Sequence, residues 1–222
     1  MEELANIAGS KAAHGRVILA HLGNGASMTA VYVGKSIDTS MGFTPAGGLT
    51  MGTRPGDLDR GVAWYMMKSE NLTPKQFNKL INHESGLLGI SETSSDMKDL
   101  LVKETSDARA AEAVELFCYK TKKWIGAYAA ALGGLDTLVF SGGIGENCPV
   151  IRSRVFEGLE FLGIELEEKR NLVNAQVISI ENSKITVRVI HTDEELMIAK
   201  TVNQLKNLKI ETGHDHENKE NV

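Results

Sequence analysis

Three short glycine-rich segments, each adjoining a stretch that reads as a β-strand, constrain this chain more than any other feature. They are His21-Leu-Gly-Asn-Gly25, residues 42–56 and Ser141-Gly-Gly-Ile-Gly-Glu-Asn147, and they take a large share of the 22 glycines in a chain with only four prolines. Glycine loses more backbone entropy on ordering than other residues, so it gathers where the chain needs φ > 0 or the close approach of a ligand. Three such clusters predict one ligand-lining system. At 222 residues, 42% of them hydrophobic, the chain is long enough to bury a core beneath it.

Around the clusters the pattern is mixed. Residues 17–20 read as a short buried strand. Residues 27–33, where Met28, Ala30 and Tyr32 alternate with smaller neighbours, read as the next, and residues 35–40 follow Gly34, which predicts a β-meander with a glycine turn. From Asp59 the pattern turns helical, with Val62, Tyr65 and Met66 at i, i+3 and i+4. Thr73-Pro74 then supplies an N-cap and a proline at the first helical position. The longest helical signal covers residues 107–132, with Ala110, Val114, Phe117, Thr121, Trp124 and Tyr128 on one side and Gly133-Gly134 as its stop. Residues 137–140 read as a buried strand that delivers the third glycine cluster into a helix starting near Cys148-Pro149. Residues 177–180 and 186–190 read as a strand pair, and Thr192-Asp-Glu-Glu195 opens a last helix with acids in its first turn. Together these elements describe an α/β or α+β body over residues 1–208, with a polar tail over 209–222 that reads as disordered.

Twenty-four basic against 29 acidic residues leave a net charge of −5, which excludes the general basic footprint of a nucleic-acid binder while allowing a local basic pocket. The longest apolar runs, such as residues 126–132, fall far short of the roughly 20 residues that cross a bilayer. No membrane association is expected. Met1-Glu2-Glu3-Leu4 lacks the basic start and apolar block of a secretory signal, and the two cysteines, Cys118 and Cys148, are too few for a disulfide framework, so a cytoplasmic protein with structural cysteines is expected.

Each candidate segment carries two readings. His21-Leu-Gly-Asn-Gly25 is a hairpin turn, or a turn whose backbone N–H groups and Asn24 amide meet phosphate oxygens. Met51-Gly-Thr-Arg54-Pro-Gly-Asp57-Leu-Asp59 is a capped surface loop, or a loop that presents the planar fork of Arg54 to a phosphoryl group, with Asp57 or Asp59 capping the next helix or holding Arg54. Ser141-Gly-Gly-Ile-Gly-Glu-Asn147 lacks the Lys-Ser/Thr of a P-loop and the spacing of a dinucleotide fingerprint. Between a strand and a helix it is an anion or nucleotide site, or a site of close helix–sheet packing. Asp96-Met-Lys98 is a helix cap or a nucleoside contact. Glu194 and Glu195 complement a helix dipole or hold a hard cation, and His214 and His216 sit in the polar tail.

Taken together and in order, Val17-Ile-Leu-Ala-His-Leu-Gly-Asn-Gly-Ala-Ser27, Met41-Gly-Phe-Thr-Pro45 with Met51-Gly-Thr-Arg54, Gly142-Gly-Ile-Gly-Glu-Asn147 and Thr192-Asp-Glu-Glu-Leu196 resemble the acetate kinase family over roughly residues 1–205. The resemblance is to the C-terminal half of a two-domain kinase with an actin-like, sugar-kinase-like and Hsp70-like (ribonuclease H-like) α/β fold, and it implies a lead-in helix over residues 1–14. It implies reversible transfer of the γ-phosphoryl of ATP to acetate, with Mg²⁺ as cofactor, ATP or ADP as co-substrate and a homodimer as the assembly. By position, His21, Leu22, Gly23, Asn24 and Gly25 would hold phosphates, Asp96, Met97 and Lys98 would meet the nucleoside, and Gly143, Ile144, Gly145, Glu146 and Asn147 would line the nucleotide site. Arg54 would stabilise the transferring phosphoryl group, Pro45 would wall the acyl pocket and Glu194 would serve the magnesium ion. The sequence departs from the family pattern at Lys98, where Arg is common, at His191, where Pro is usual, and at Asp193, where Asn is usual. The family's first domain, with its Phe-His-Gly segment, lies outside this sequence, so the chain alone is expected to bind nucleotide without efficient turnover unless a separate N-terminal half joins it. Two other readings are a non-catalytic nucleotide-binding or dimerisation module, and a kinase for propionate or butyrate.

Overall fold

Alternation and turn chemistry build the first half of one sheet. β1 (Arg16–Leu22), β2 (Ala26–Tyr32) and β3 (Lys35–Thr39) form the expected antiparallel meander. Tyr32 pairs with Lys35 across Val33-Gly34, whose φ values of 51° and 72° give the left-handed turn that matches strand twist. Met28 and Ala30 are buried as the alternation predicts, but Tyr32, at the end of its strand, is 51% exposed. The structure is a computed structural model that describes residues 1–193, 195–203 and 205, and it divides into two units, residues 1–190 and residues 191–222. In the second unit residues 195–203 are helical, and the Asp193 carboxylate caps them by accepting the Leu196 N–H at 2.8 Å. Glu194 and the tail over 209–222 lie outside the described residues.

β4 (Thr137–Ser141) runs parallel to β1, and β5 (Thr186–Val189) runs parallel to β4, which gives the order β3-β2-β1-β4-β5. Parallel neighbours need long connections. The first carries α2 (Arg60–Ser69), α3 (Pro74–His83), α4 (Gly86–Ser91), α5 (Met97–Lys103) and α6 (Ala108–Ala131). The second carries α7 (Gly142–Asn147), α8 (Pro149–Phe156) and α9 (Glu168–Leu172). The expected strand pair over 177–180 and 186–190 is present in reduced form: residues 186–189 join the sheet as β5, and Val177 bridges Arg188 antiparallel, with the Ile178 N–H donating to the Val187 carbonyl at 2.9 Å. The Ser179 hydroxyl accepts the Val187 N–H at 3.1 Å, a donor that a ladder carbonyl would otherwise take.

α6 begins where Asp107 accepts the Arg109 and Ala110 N–H groups, and it ends in a Schellman motif, with Gly134 donating to Ala129 and Gly133 to Ala130. Ala110, Val114, Phe117, Thr121 and Tyr128 are buried, and they pack in one core with Ile18, Met28 and Phe140 of the sheet. On the sheet's other face Val17, Val31 and Val139 meet Leu4 and Ala13 of the lead-in helix α1 (Glu2–Ala13), which breaks at Gly9. α2 and α3 form as the capping signals predict, Thr73 and Gln76 making a reciprocal capping box, yet neither buries a residue. Val62 and Tyr65 of α2 are therefore a solvent-facing stripe rather than a core one.

Asp136 ties the start of β4 to the start of β1, accepting from the Arg16 backbone N–H at 2.7 Å and from its Nη2 at 2.6 Å. The Arg16 side-chain hydrogen bonds hold the Asp136 carboxyl below the usual carboxylate range. A depressed folded value means that this stabilisation is complete above the unfolded value of about 4 and is lost as pH falls through the folded one. Asp136→Asn should lower the thermal midpoint at pH 7 by an amount equivalent to about 1 kcal/mol or less, given the exposure of the pair. The gap to the unsubstituted chain should close below about pH 4 in circular-dichroism melts.

Candidate active site

His21 pairs with Ser141, so β1 and β4 end at the same edge of the sheet and the segments that follow them emerge side by side. After β1 the chain makes a tight hairpin, in which Leu22 pairs with Ala26 and the Gly23 N–H donates to the Gly25 carbonyl at 3.0 Å. After β4 the glycine run is itself helical, as α7 from Gly142, and the expected helix near Cys148-Pro149 follows it as α8, which starts at Pro149. The Glu146 carboxylate folds back to accept the Gly142 N–H at 2.8 Å, which supplies the partner that a first-turn donor lacks. Gly142 has φ +76°, and a Cβ there would stand 2.8 Å from the Leu22 carbonyl oxygen, so the strand-to-helix corner requires glycine.

A cleft of about 760 Å³ opens where these segments meet, within the size range of small-molecule sites. One wall is Gly23 and Asn24 of the hairpin with Gly143, Ile144, Asn147 and Cys148. The other is Ser95, Asp96, Met97 and Lys98 with Leu101 and Val102 of α5. Asp96 lines the cleft and caps α5 at once, accepting the Lys98 N–H at 2.8 Å. Asn147 holds its own wall by donating to the Gly143 carbonyl at 3.2 Å.

Five of the expected nucleotide-site residues, His21, Leu22, Gly25, Gly145 and Glu146, stand behind or beside these walls. Leu22 is wholly buried in the core, Gly145 packs on Phe140 and Leu22, and Glu146 is 8% exposed. His21 is half-buried, its Nδ1 3.4 Å from the Ser141 hydroxyl. Arg54 lies against the hairpin: a Cβ on Gly25 would come within 2.8 Å of its Nη2, so the glycine makes room for the guanidinium. Its loop is joined to the cleft by the Gly52 N–H, which donates to the Asn24 carbonyl at 2.9 Å. Arg54 Nη1 donates to the Pro45 carbonyl at 2.5 Å, which brings two expected site residues together. Asp59 caps α2 and Asp57 accepts the Gly48 N–H, so neither holds Arg54. Among the described residues the guanidinium is tethered by a carbonyl and not neutralised by a carboxylate.

The acetokinase family pattern matches residues 1–200. The chain belongs to the acetokinase family. The acetate kinase of Dictyoglomus turgidum is 53% identical over 188 residues, which are 83% of this chain and 46% of that protein. The crystal structure of Porphyromonas gingivalis acetate kinase superposes with a TM-score of 0.86 at 44% identity, covering 90% of this chain and 51% of that one. A propionate kinase from Francisella tularensis superposes with a TM-score of 0.82 at 40% identity, covering 89% and 51%. The chain thus spans about half the length of the relatives it matches, and its α/β, actin-like fold is that of half of a larger kinase.

Within this acetokinase half, sequence reasoning passed over Ser95, Leu101, Val102 and Cys148 as parts of the wall. A signal existed for Val102: Leu100, Leu101 and Val102 are consecutive, one short helix cannot bury all three, and Val102 is 75% exposed. Cys148 borders the cleft, yet burial pushes its thiol upward, and burial pushes the Cys118 thiol up to about 12, so both are thiols at neutral pH. Arg152 of α8 gave no signal, and it is the largest fully buried side chain. Burial lowers its guanidinium to about 10, and five hydrogen bonds to neutral oxygens hold it. Among the described residues no group of three or more His, Cys, Asp or Glu forms a metal cage. A magnesium ion requires none, since it keeps waters and takes phosphate oxygens with one or two carboxylates.

The corner at Gly142 is the most constrained point of the site. Gly142→Ala should cost about 1–3 kcal/mol of stability, the scale of a non-glycine residue forced into such a conformation, measured by urea denaturation. A loss below about 0.5 kcal/mol, the size of an ordinary surface substitution, would contradict the geometry described above.

Proposed function

We propose that this chain is the C-terminal half of an acetate kinase, whose cleft takes ATP or ADP while Arg54 faces the phosphoryl group in transfer to or from acetate. The observation that carries this reading is the meeting of three segments, Gly23-Asn24, Ser95 to Lys98 and Gly143 to Asn147, around one concavity flanked by a guanidinium that has no carboxylate partner among the described residues. The backbone N–H groups of the hairpin and the Asn24 amide suit phosphate oxygens, and Asp96 with Lys98 suits the nucleoside. His21, Leu22, Gly145 and Glu146 act from behind, by holding the edge from which the lining residues project.

The chemistry asks little of a general base. A carboxylate acceptor is ionised at neutral pH, its pKa being about 4, so it is nucleophilic as it stands. The barrier is the approach of one anion to another. Arg54 lowers it by spreading positive charge over the equatorial oxygens of the transferring group, and the Pro45 carbonyl keeps the fork on that side of the hairpin. Magnesium, when bound, supplies further positive charge to the phosphate oxygens, with Glu194 as its proposed carboxylate. Pro45 is the proposed wall of the acyl pocket. With only half of the relatives' length present, water reaches the phosphates from the open side and the acceptor is unpositioned, which forfeits orientation effects worth several kcal/mol. The chain alone therefore binds nucleotide without efficient acetyl phosphate synthesis, and efficient turnover needs an N-terminal half.

A homodimer is part of the same reading, and sedimentation should show twice the chain mass. No helix among the described residues is long and apolar enough to cross a membrane. The cytoplasm, where unpaired cysteines persist, is the proposed compartment.

The deciding experiment mixes the chain with a separately expressed N-terminal half, offers acetate, propionate and butyrate, and traps acyl phosphate with hydroxylamine. Activity with acetate is expected only in the mixture. Arg54→Ala should lower turnover by about 100- to 1000-fold with little change in ADP affinity. Equal losses in both would remove the transition-state role, and robust product from the chain alone would remove the half-cleft argument.

A further inference from the structure

α8 lines none of the cleft itself, yet it touches the supports of both walls. Arg152 and Arg154 stand two residues apart on it, a spacing that sends side chains to opposite sides of a helix. On one side Arg152 Nη1 donates to the Gly145 and Glu146 carbonyls at 2.8 and 3.1 Å, the last-turn oxygens of α7 that have no helical donor. Its Nε and Nη2 are anchored on Asn171, in the last turn of α9, and Asn174 just beyond it, and Asn171 in turn donates to the Pro149 carbonyl and the Ser153 hydroxyl of α8. On the other side Arg154 grips Glu104 with both arms, at 2.7 and 2.8 Å. Glu104 is the C-cap of α5, the helix that carries Met97, Lys98, Leu101 and Val102 on the opposite wall.

We infer that α8 is the spacer that sets the width of the cleft, with Arg152 and Arg154 as positioning residues that hold α7 and α5 at a fixed separation. The inference rests on the nucleotide reading of the cleft for its functional meaning, and on geometry alone for the spacing itself. The two arms differ in kind. Arg152 is wholly buried among neutral oxygens, so its loss leaves α7 carbonyls without donors inside the core. Arg154 and Glu104 are 35% and 18% exposed, so this pair can be altered with less risk to folding. A fork on a carboxylate fixes direction as well as distance, which a lysine ammonium does not, so Arg154→Lys keeps the charge and loses the register.

Cys148, on the α7 side of the cleft, reports the opening, because Cys118 is buried in the core. Burial raises the Cys148 thiol and the charge of Arg154 lowers it, so each rate is read from its full pH profile as the rate of the thiolate. The experiment uses the full 222-residue chain with Glu104→Gln, Arg154→Lys, and the exchange Glu104→Arg with Arg154→Glu. It measures the rate at which a maleimide modifies Cys148 and the affinity for ADP by calorimetry, both well below the melting temperature of each variant. The single substitutions should raise the Cys148 rate severalfold and weaken ADP by about tenfold, the cost of displacing binding groups by a fraction of an ångström to an ångström. The exchange should bring both back toward their original values. Folded single variants with unchanged Cys148 rates and ADP affinity would overturn the inference, as would an exchange that restores neither. Arg152→Lys is the harsher variant, and if it fails to fold, the Glu104–Arg154 arm still decides. Failure of the unsubstituted chain to bind ADP would remove the nucleotide reading, while the Cys148 rates would continue to decide whether α8 spaces the walls.

Discussion

The parallel pairing of β1 with β4 is the constraint on which the rest of this molecule depends. Strands that are antiparallel neighbours turn back at opposite edges, whereas parallel neighbours deliver both outgoing segments at one edge, and a mixed sheet with β1 at its centre does both. The β1–β2 hairpin and α7 leave from that shared edge, His21 opposite Ser141, although 120 residues separate the two in sequence. Ligands of open α/β sheets sit outside the carboxyl ends of such strands, and the cleft lies there. α6 fills the space beneath β1 and β2, so the sheet edge is a rigid platform.

Charge in this half is arranged against the overall balance. The chain is net acidic, at −5, yet beside the β1–β2 hairpin stand the Asn24 amide and a guanidinium that, among the described residues, is held by a carbonyl rather than a carboxylate. Asp57 and Asp59, the acids nearest Arg54 in sequence, are consumed by backbone donors of their own loop. Arg152 shows the complementary device. A buried charge is costly unless its hydrogen bonds are met, and here carbonyl and amide oxygens meet them. The arginine therefore ends α7 electrostatically, where the helix carries its partial negative charge.

Several elements were legible because their signals are local. The capping box at Thr73, the Asp107 cap and the Gly133-Gly134 stop each depend on residues within one or two turns, and each ends or begins a helix where the sequence says it should. The meander was legible for the same reason. The strand pair over 177–190 was legible in part: Val177 does bridge Arg188, but the pairing of residues 186–189 with β4 joins segments far apart in sequence. α2 was legible as a helix from the spacing of Val62, Tyr65 and Met66, but periodicity shows only that a stripe exists and not that anything covers it. Within the site, Asp96, Asn24 and Asn147 could be named from their motifs, whereas Ser95, Val102 and Cys148 line the cleft through the path of α5 and the end of α7, which no motif records.

What the sequence by itself determined is the inventory: glycines at the corners, an arginine in a Gly/Pro loop, caps and stops for the helices, and enough shared pattern to place the chain in its family. Those are properties of residues and their near neighbours. The tertiary structure alone decided that the hairpin, α5 and α7 face one space, that Glu146 turns inward to cap its own helix, and that α8 bears on both walls. The physical reason is that these relations arise from backbone pairing and side-chain packing across tens to more than a hundred residues, where each contact is set by the register of strands and the seating of helices rather than by any local preference.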